Sequence, residues 1–411
     1  MSFLFGQFES ACIVQVIMAA LLISIVLFLS AYILFFAIAG LVTSAATEES
    51  AAERQNAGKT RFLVFIPAHD EGEYLRPTLR SLHALDYPRD RFHIVVIADN
   101  CTDNTADVAA QEGCEAWVRT DAVLRGKGHA LTWAFTRVAG LSYDAVVVVD
   151  ADTLASVNLL RAFDREIRRG YVAMQAQDNL EFPMDTPPWL RLISRATKNA
   201  EDLYVTSPRS RLRLYQGLQG TGFCLSAQTL MKVPWRANSI CEDLEYGLEL
   251  ARQRISVFFV EDASVAAVMT GQVKHASGQR QRWAGGTYAL IAKSLPDFFV
   301  RFFRKLDWRS LELCVYLITL SRIPLFLLTI FSGLVLLIER HSVYSIWWIL
   351  FGVAVLLQGI YVLAILSTNR KESSLGKMIA GLFVYVFWIS FQHLSALLNL
   401  RHARWNRTER G

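Results

Sequence analysis

Apolar residues are concentrated near the two ends of this chain, whereas the middle alternates between apolar and polar stretches. Near the N-terminus, residues Ala11 to Val42 form an almost unbroken apolar run. This run is longer than the ~20 residues that an α-helix needs to cross a bilayer. No positively charged segment precedes it, as a secretory signal peptide would require. We therefore expect a transmembrane helix here.

Three further apolar segments lie near the C-terminus. Leu311–Ile338 is interrupted by Arg322 and Pro324, which favours a first half at the membrane interface and a second half that crosses. Val343–Leu366 has the pattern of a plain membrane span, and Leu375–Leu400 is the most polar of the three. Membrane and interfacial helices are therefore expected at this end as well.

The middle of the chain has the pattern of an α/β domain. Three short apolar runs are each followed by turn-forming residues and then by helical periodicity. The runs are Phe62–Ile66, His93–Ala98 and Ala145–Val149, and the helical stretches lie near 75–85, 105–112 and 155–168. Strands that are apolar throughout and alternate with helices indicate a buried, mainly parallel sheet. The expected fold class is an α/β domain of Rossmann type, accompanied by transmembrane and interfacial helices.

These patterns divide the chain into five segments. We expect a transmembrane helix over residues 1–45, a linker over 46–60, a globular domain with interfacial helices over 61–300, interfacial and transmembrane helices over 301–400, and a basic tail over 401–411. One interfacial helix is expected from Pro187 to Arg195, where prolines precede a tryptophan and cations at helical spacing.

Composition supports a globular domain attached to a membrane. Hydrophobic residues make up 53% of the chain and charged residues 19%, which is too apolar for an ordinary soluble enzyme and too charged for membrane helices alone. The formal charge of +5 is mild, and no basic repeat with interleaved aromatic residues suggests nucleic acid. The six cysteines form no CxxC pair, so free thiols in a reducing compartment are expected.

The distribution of Lys and Arg predicts which side of the membrane the globular domain occupies. The first ten residues contain neither, whereas Arg54, Lys59 and Arg61 follow the first span, so the positive-inside rule places this domain in the cytosol. Three full crossings after it would leave the C-terminus outside, but four arginines in the tail favour the inside. Either one segment does not fully cross or the rule fails here. We favour a multi-pass protein of the cell (inner) membrane with a cytosolic tail.

Acidic residues follow all three predicted strands, at the edge where such sheets bind ligands. Asp150 and Asp152 come directly after a run of valines, and two carboxylates at this spacing can share Mg²⁺ or Mn²⁺, which would neutralise a diphosphate. An Asp-x-Asp pair alone is as readily a solvated turn. Its place after a buried strand, beside Asp99 at the end of a neighbouring strand, favours the metal site.

Two other residues in this half of the domain suit a nucleotide. Asp99 can accept hydrogen bonds from a nucleobase or a ribose, although an Asx turn or a helix cap is the alternative. We expect Asp99 to bind and Asp103 or Asn104 to cap the next helix. Lys127 lies between two glycines and suits phosphate, but the segment lacks the rest of a P-loop and by itself is more often a turn.

Two later segments carry candidate chemistry for a transfer reaction. Direct displacement at a sugar needs one general base, and Asp243 in Glu242-Asp243 is the candidate, with an acid at a helix N-terminus as the alternative. Residues 279–283 (Gln-Arg-Gln-Arg-Trp) place an amide, a guanidinium and an indole within about one helical turn. Arg282 can stabilise a departing diphosphate and Trp283 can stack on a sugar ring, whereas a membrane anchor is the alternative.

In this order and spacing, the motifs resemble those of membrane-embedded inverting glycosyltransferases of family 2, which include cellulose, chitin, hyaluronan and poly-N-acetylglucosamine synthases. The resemblance extends over essentially the whole chain. It implies a GT-A-like catalytic domain and a nucleotide-sugar-dependent hexosyltransferase activity. The membrane region is smaller than in cellulose synthases, so a partner subunit or a homo-oligomer could be needed to complete a path for export.

The resemblance also implies roles for individual residues. Asp243 would be the catalytic base, and Asp150 and Asp152 would bind the metal ion. The residues implied to bind the nucleotide sugar are Pro67, His69, Glu71, Asp99, Lys127, Asp150 and Arg282. Those implied to bind the acceptor are Gly220, Thr221, Gly222, Glu242, Gln279 and Trp283. The tail residues Trp405, Arg407 and Thr408 resemble a Trp-x-x-Thr-Arg motif that lies near the catalytic opening in relatives, which supports a cytosolic C-terminus.

The expected reaction is inverting transfer of a hexose or N-acetylhexosamine from a UDP-sugar, with Mg²⁺ or Mn²⁺ as cofactor. The acceptor hydroxyl would attack the anomeric carbon from the face opposite the nucleotide and give a β-linkage. Repeated addition to a growing polysaccharide is favoured, because the Gln-x-x-Arg-Trp signature is associated with it. Addition of one sugar to a lipid, as in ceramide glucosyltransferases, is the alternative. A membrane scaffold without activity is disfavoured by the intact motifs.

Overall fold

The structure is a computed structural model that describes residues 2–42, 57–138, 140–338, 345–368 and 373–398. Within these residues, one sheet of eight strands carries helices on both faces, and apolar helices lie on either side of this domain in the sequence. Most of the expected linker and the whole basic tail, including Trp405, Arg407 and Thr408, lie outside the described residues.

The sheet combines a parallel half with a mixed half. Its strands are β1 (Phe62–Ala68), β2 (Phe92–Asp99), β3 (Glu115–Arg119), β4 (Ala145–Val148), β5 (Thr153–Ala155), β6 (Ala173–Glu181), β7 (Phe223–Ser226) and β8 (Phe258–Val268), in the order β3-β2-β1-β4-β7-β6-β8-β5. The first four strands of this order run parallel. Strand β7 is antiparallel to β4 and to β6, β6 is parallel to β8, and β5 is antiparallel to β8.

Fourteen α-helices are present among the described residues. They are α1 (Ser2–Val42), α2 (Gly72–His83), α3 (Thr105–Gln111), α4 (Lys127–Arg137), α5 (Leu159–Arg168), α6 (Pro188–Glu201), α7 (Ser207–Arg211), α8 (Ala227–Lys232), α9 (Glu242–Arg252), α10 (Val273–Lys305), α11 (Trp308–Thr319), α12 (Arg322–Ile338), α13 (Ser345–Thr368) and α14 (Leu375–Leu398). A short 3₁₀ helix covers Arg89–Arg91, and a π-helical turn, Asp202–Thr206, joins α6 to α7.

The central strands are apolar throughout because both of their faces are covered. Val64 and Val147 are fully buried on the face that packs against α2, α3 and α5. Phe65 and Val148 are fully buried on the opposite face, against α4 and α9. Burying each such side chain stabilises the fold by about 1.5–3 kcal/mol, and successive residues of a strand point to opposite faces. The alternation within β1 and β4 therefore builds two hydrophobic layers around one sheet.

The predicted α/β, GT-A-like fold class is confirmed. One element differs from the prediction: the helix expected from Ala155 begins at Leu159. The intervening residues Thr153–Ala155 form β5, which pairs with β8 along Val265–Ala267. Pairing with a strand that is distant in sequence took precedence over the local helical pattern, and it fixes the turn that carries Asp150 and Asp152.

In the part of the chain that the structure describes, three helical segments are long and apolar enough to cross a membrane: Ile17–Val42, Ile346–Thr368 and Leu375–Leu398. Helices α11 and α12 are bent by 76° at their junction and would form a fourth span if they acted as one. Large apolar side chains are exposed on these segments, with Phe383 76% and Phe387 83% exposed. Surfaces of this kind are stable in lipid rather than in water, and the segments therefore indicate membrane association.

Candidate active site

The carboxyl end of β2 holds a buried ion pair. The Asp99 carboxylate accepts hydrogen bonds from the guanidinium of Arg119 and from Asn100 Nδ2, the latter over 3.1 Å. Arg119 ends β3 and is the direct cross-strand partner of Asp99. It also donates to Asp121 over 3.0 Å. His69 Nδ1 lies 2.7 Å from the carbonyl oxygen of Asp99. The acid predicted to contact the nucleotide is therefore fixed in orientation by neighbours on two strands.

The loops after β1 and β2 form a group of possible metal ligands: the ligand atoms of Asp70, Cys101 and Asp103 lie within 4.8 Å of one another. These carboxylates already hold the loops together. Asp70 accepts from the N–H groups of Thr102 and Asp103 over 2.6 and 3.2 Å, and Asp103 accepts from Gly72 N over 2.9 Å. Burial opposes ionisation of Asp70, but the two backbone hydrogen bonds outweigh it and lower its pKa. The positions of these two carboxylates are therefore explained by the hydrogen bonds that hold the loops together.

Helix α3 begins beside these loops. Asp103 accepts a hydrogen bond from Thr105 N over 3.0 Å, whereas the side chain of Asn104, the N-cap residue, makes no capping bond. Glu71 N donates to Thr105 Oγ1 over 2.9 Å. The first-strand motif, which runs from Pro67 to Glu71, is thereby held against the loop that follows β2.

Lys127 connects three of the predicted site segments. Its Nζ lies 2.6 Å from Asp150 Oδ1 and 3.5 Å from Glu242 Oε1. It also donates to the carbonyl oxygen of Gly220 over 2.6 Å. Burial alone would lower the pKa of Lys127, but the charges of Asp150 and Glu242 outweigh it and raise this pKa above its usual range. The ammonium is therefore a permanent cation in the centre of the site.

The two glycines beside Lys127 are required by the backbone. Gly126 has φ of 108°, a conformation that residues with a side chain rarely adopt. A Cβ atom on Gly128 would clash with the carbonyl oxygen of Ala237. The glycines thus let α4 begin at Lys127 in close contact with the segment that precedes α9.

The predicted acceptor segment, Gly220 to Gly222, passes between the acids. Thr221 Oγ1 accepts a hydrogen bond from Asp150 N over 3.0 Å. A Cβ atom on Gly220 would lie 3.4 Å from Asp243 Oδ2, and one on Gly222 would lie 2.7 Å from the side chain of Val265. Both glycines also have positive φ. The segment therefore bonds to Asp150 through Thr221 and lies close to Asp243 at Gly220.

Glu242 and Asp243 form the first turn of α9, so the helix-terminus interpretation and the active-site interpretation apply together. Asp243 Oδ1 accepts a hydrogen bond from Leu244 N over 2.8 Å. Burial raises the pKa of Asp243, although this hydrogen bond and Lys127 oppose the shift. Burial also raises the pKa of Glu242, to about 7, with the charge of Asp243 adding to the effect. A carboxylate with a raised pKa is a stronger base at neutral pH.

Residues 279–283 lie on α10, beside the start of α9. The thiol of Cys241 donates to the carbonyl oxygen of Trp283 over 3.5 Å, and a Cβ atom on Gly286 would lie 2.7 Å from the same sulfur. Trp283 is 38% exposed, and the guanidinium carbon of Arg280 lies 5.0 Å from the centre of its ring. Gln279 Oε1 is buried and accepts no hydrogen bond from the residues that the structure describes. The segment with this amide and this indole therefore contacts the residue that precedes α9.

The same helix is hydrogen-bonded to α14, the last apolar helix that the structure describes. Gln281 Nε2 donates to Gln392 Oε1 of α14 over 2.7 Å, and Tyr288 Oη lies 2.6 Å from His393 Nδ1. Burial lowers the pKa of Arg282, whose charge an incoming anion would stabilise. The segment with the Gln-x-x-Arg-Trp signature thus joins the α/β domain to a candidate membrane span.

Asp150 and Asp152, which follow β4, fit a divalent cation. Their negative charges contribute to raising the pKa of the nearby Asp178 to about 7, after the larger effect of its burial. Lys127 pairs with Asp150, and Asp152 and Asp178 add further carboxylates to this region. Oxygen ligands of this kind suit Mg²⁺ or Mn²⁺. The roles of these ligands remain predictions from the sequence.

The structure brings most of the predicted site residues into two connected groups. One contains Lys127, Asp150, Gly220, Thr221, Glu242 and Asp243, and the other contains His69, Glu71 and Asp99. Arg119, Asp178 and Cys241 belong to the same region and were not predicted. A basic residue at the end of an alternating segment would have indicated Arg119 if β3 had been recognised. For Asp178, the only signal is an acid inside a strand-forming stretch.

The fold of the domain is GT-A-like. A sequence model of the family described as glycosyltransferase like family 2 matches residues 60–286. The chain belongs to this family.

Individual relatives are distant. The chain is 26% identical over 258 residues to the probable glycosyltransferase YdaM of Bacillus subtilis, a match that covers 57% of each chain. It is 25% identical over 281 residues to a beta-monoglucosyldiacylglycerol synthase of Synechocystis sp., covering 64% of this chain and 55% of the relative. It is 22% identical to the cellulose synthase catalytic subunit of Pseudomonas fluorescens, covering 57% and 32%. The chain thus spans little more than half the length of the first two of these curated relatives and about a third of the length of the cellulose synthase subunit.

Among solved structures, the fold is similar to that of a mannosyltransferase from Pyrobaculum calidifontis in complex with GDP-Man and Mn²⁺. The TM-score is 0.56 at 17% identity, and the similarity covers 92% of this chain and 97% of the other. At this identity the comparison supports the fold, which here extends over nearly the whole chain.

Proposed function

We propose that this chain transfers a hexose or N-acetylhexosamine from a nucleotide sugar to a hydroxyl group of a membrane lipid, with inversion at the anomeric carbon. The observation that carries the proposal is the placement of Asp243 beside Gly220 while Lys127 bridges Asp150 and Glu242. Asp243, the proposed base, and Lys127, a cation, are thereby held in the same region. Displacement of a diphosphate by a hydroxyl needs both.

Asp243 acts as the general base in this proposal. As the acceptor oxygen forms its bond to the anomeric carbon, the hydroxyl proton moves to the Asp243 carboxylate. The bond between the anomeric carbon and the diphosphate oxygen breaks, and the leaving group takes the electron pair. Because attack and departure occur on opposite faces, an α-linked donor gives a β-linked product.

Lys127 and Arg282 are proposed to stabilise the departing diphosphate. Lys127 is held by two carboxylates, and the burial of Arg282 favours an anionic partner. Asp150 and Asp152 would hold a divalent cation. When bound, that cation would supply additional positive charge next to the diphosphate.

The end of β2 is proposed to bind the nucleoside. Asp99 is fixed by Arg119 and is adjacent to His69. A UDP-sugar is the donor implied by the family resemblance. GDP-mannose also belongs in the donor screen, because the mannosyltransferase of similar fold was solved in complex with it.

A lipid acceptor is supported by the position of α10. Its Gln-x-x-Arg-Trp segment contacts Cys241, two residues before Asp243, and bonds to the apolar helix α14. A hydroxyl at the membrane surface would therefore lie close to the base. The relative from Synechocystis sp. is named for a diacylglycerol product. A growing polysaccharide is the second candidate, favoured by the Gln-x-x-Arg-Trp signature and by the relative named cellulose synthase.

We further propose that the chain crosses the membrane several times, with its catalytic domain in the cytosol. The three apolar segments and the bent pair α11–α12 support several crossings. The cations Arg54, Lys59 and Arg61 after the first span support the orientation.

The test uses the full-length chain in native membranes and in detergent. Radiolabelled UDP-glucose, UDP-galactose, UDP-N-acetylglucosamine and GDP-mannose are supplied separately, and nucleotide release and labelled products are measured. The proposal predicts a labelled glycolipid of one sugar with one of the donors. High-mass labelled polymer without such a glycolipid would favour the second candidate, and no transfer from any donor would contradict the proposal.

The base is tested separately with Asp243→Asn. The substitution keeps the shape of the side chain but removes the proton acceptor, so turnover should fall by about 10²–10⁴-fold with little change in donor affinity. Asp107→Asn, an exposed acid in the first turn of α3, is the matched control. Wild-type turnover by Asp243→Asn would show that another group accepts the proton.

A further inference from the structure

Asp178, on β6, is a buried acid with an unpaired oxygen. The residue is 9% exposed, and its Oδ1 atom is shielded from solvent and accepts no hydrogen bond from any residue in the described part of the chain. Buried carboxylates normally have partners, because leaving one unpaired is costly. The oxygen therefore requires an explanation that the folded chain alone does not provide.

The nearest cation is already engaged elsewhere. Lys198 influences the charge state of Asp178, but its Nζ donates to Asp202 Oδ2 over 2.6 Å and to Gln219 Oε1 over 3.1 Å. Gln219 Nε2 in turn donates to Asp202 Oδ1 over 3.0 Å. These three side chains satisfy one another. Asp178 lies next to a completed hydrogen-bond network without belonging to it.

Asp178 also lies near the predicted metal ligands and the predicted acceptor segment. Its charge state is affected by both Asp150 and Asp152. Its cross-strand partner is Val265, whose side chain lies against Gly222 of the predicted acceptor segment.

The strand that carries Asp178 also holds the acceptor segment in place. Gln175, three residues earlier on β6, donates to the carbonyl oxygen of Thr221 over 2.8 Å and accepts from Gln219 N over 2.9 Å. The unpaired oxygen of Asp178 is therefore on a strand that contacts the predicted acceptor segment.

A turn of unusual geometry borders the same place. Asp202 begins the π-helical turn that ends α6, and such turns occur often at functional sites. Helix α6 packs against the membrane helices through Ala196 and Ala200, and Thr368 of α13 donates to the carbonyl oxygen of Ala196 over 3.3 Å. Helix α6 thus connects the region of Asp178 to the apolar helices.

We propose that Asp178 is a specificity-determining residue whose carboxylate accepts a hydrogen bond from a hydroxyl group of the donor sugar or of the acceptor. An ionised carboxylate is a pure acceptor, and a sugar hydroxyl is a donor that arrives only with the substrate. A site built to bond a hydroxyl strongly rejects an analogue that lacks it. The proposal rests on the proposed glycosyl transfer but not on the identity of the lipid.

The first test compares the wild type with Asp178→Asn, and with Asp178→Ser as a second variant, on the active donor and on its 2-, 3-, 4- and 6-deoxy analogues. If Asp178 bonds one donor hydroxyl, the wild type should lose about 10- to 150-fold in kcat/KM on the matching analogue, as for one hydrogen bond to a charged group. The variants should be slow on the natural donor and lose little more on that analogue. The substitution of Asp178 and the removal of the hydroxyl group then eliminate the same interaction, so their effects are not additive.

Slow hydrolysis of the donor, with water as acceptor, distinguishes a contact of Asp178 with the donor from a contact with the acceptor. An effect of Asp178→Asn on both hydrolysis and transfer would assign the hydroxyl to the donor. An effect on transfer alone, which disappears with deoxy analogues of a glycosylated acceptor such as octyl glucoside, would assign it to the acceptor. Unchanged discrimination against every donor and acceptor analogue would overturn the proposal. So would an increased metal requirement as the only change, because Asp178 would then be a metal ligand.

Thermal unfolding distinguishes specificity from a structural role. Removing an unpaired buried charge should leave the unfolding midpoint unchanged or raise it, while activity falls. Loss of both stability and activity in both variants would contradict the proposal. Asp185→Asn, an exposed acid just beyond β6, is the control and should behave as the wild type. If the wild type releases nucleotide from no donor, the proposed function fails; if it does and discrimination is unchanged, only this inference fails.

Discussion

The ammonium nitrogen of Lys127 lies 2.6 Å from Oδ1 of Asp150, an acid predicted to bind the metal ion. The pair joins the start of α4 to the end of β4, the next element along the chain, at the carboxyl edge of the sheet. Only 21% of the Lys127 side chain is exposed. A charge held in this way needs no reorganisation when a diphosphate arrives, and such preorganised charge is the most effective kind in catalysis.

Lys127→Met should lower kcat/KM for nucleotide release by about 10²–10³-fold, because a positive charge next to the leaving group is lost. Methionine keeps the length of the side chain, so the cleft should retain its shape. Lys232→Met, at an exposed position at the end of α8, is the control and should retain wild-type activity. Equal activity of the two variants would contradict a role for Lys127 in charge stabilisation.

Glu242 should make stability depend on pH. Its pKa is about 7 in the folded chain against 4.5 as the reference value, so the folded state binds the proton more tightly than the unfolded state. Stability is therefore fully present below the reference pKa and falls as the pH rises towards about 7. Glu242→Gln should unfold at a higher temperature than the wild type at pH 8 but not at pH 4.5.

Glu115 provides a contrast for the same experiment. Hydrogen bonds from His93 and Trp117 lower the pKa of Glu115. Its contribution to stability is therefore present at pH 8 and lost at low pH, the opposite sign to Glu242. Glu115→Gln should unfold slightly earlier than the wild type at pH 8. Identical shifts for the two variants would contradict the assignment of the Glu242 effect to its burial beside Asp243.

The sequence predicts the strands β1, β2 and β4 because each is buried on both faces and therefore uniformly apolar. It does not predict β3, where Glu115 and Val118 are exposed, or β6, where Gln175 and Asp178 interrupt the apolar pattern. Strands with one polar face or with buried polar residues depend on their neighbours in the sheet. A local pattern cannot show which neighbours they will have.

Candidate site residues divide in the same way. Asp99 and Asp150 are predictable because they end recognisable strands. Arg119 and Asp178 are not, since their significance arises from contacts across the sheet rather than from neighbours along the chain. The order of the acceptor candidates also changed, because only the structure shows that the helix with Trp283 is bonded to α14.

Arg119→Ala should destabilise the fold and weaken donor binding together. The guanidinium is 5% exposed and pairs with Asp99, which is 6% exposed, so the substitution leaves a buried carboxylate without its partner. The expected loss in the free energy of unfolding is about 3–5 kcal/mol. Denaturation of the purified chain and the KM for the donor measure the two effects.

Two further variants separate the ion pair from other effects of truncation. Arg125→Ala, at an exposed position, should leave both quantities unchanged. In the double variant Arg119→Ala/Asp99→Asn, part of the lost stability should return, because no unpaired charge remains. Strictly additive losses would show that the pair does not account for the destabilisation.

Metal dependence distinguishes between the two acidic groups of the site. After treatment of the full-length enzyme with a chelator, nucleotide release should be lost and should return with Mn²⁺ or Mg²⁺. Asp152→Asn should raise the metal concentration for half-maximal activity by at least about 10-fold, because an oxygen ligand is removed. Asp103→Asn removes a carboxylate from the other group, and it should lower stability by releasing the bond to Gly72 N without changing the metal requirement. The reverse result, an altered requirement in Asp103→Asn alone, would place the ion at Asp70, Cys101 and Asp103. Full activity in excess chelator would contradict both sites.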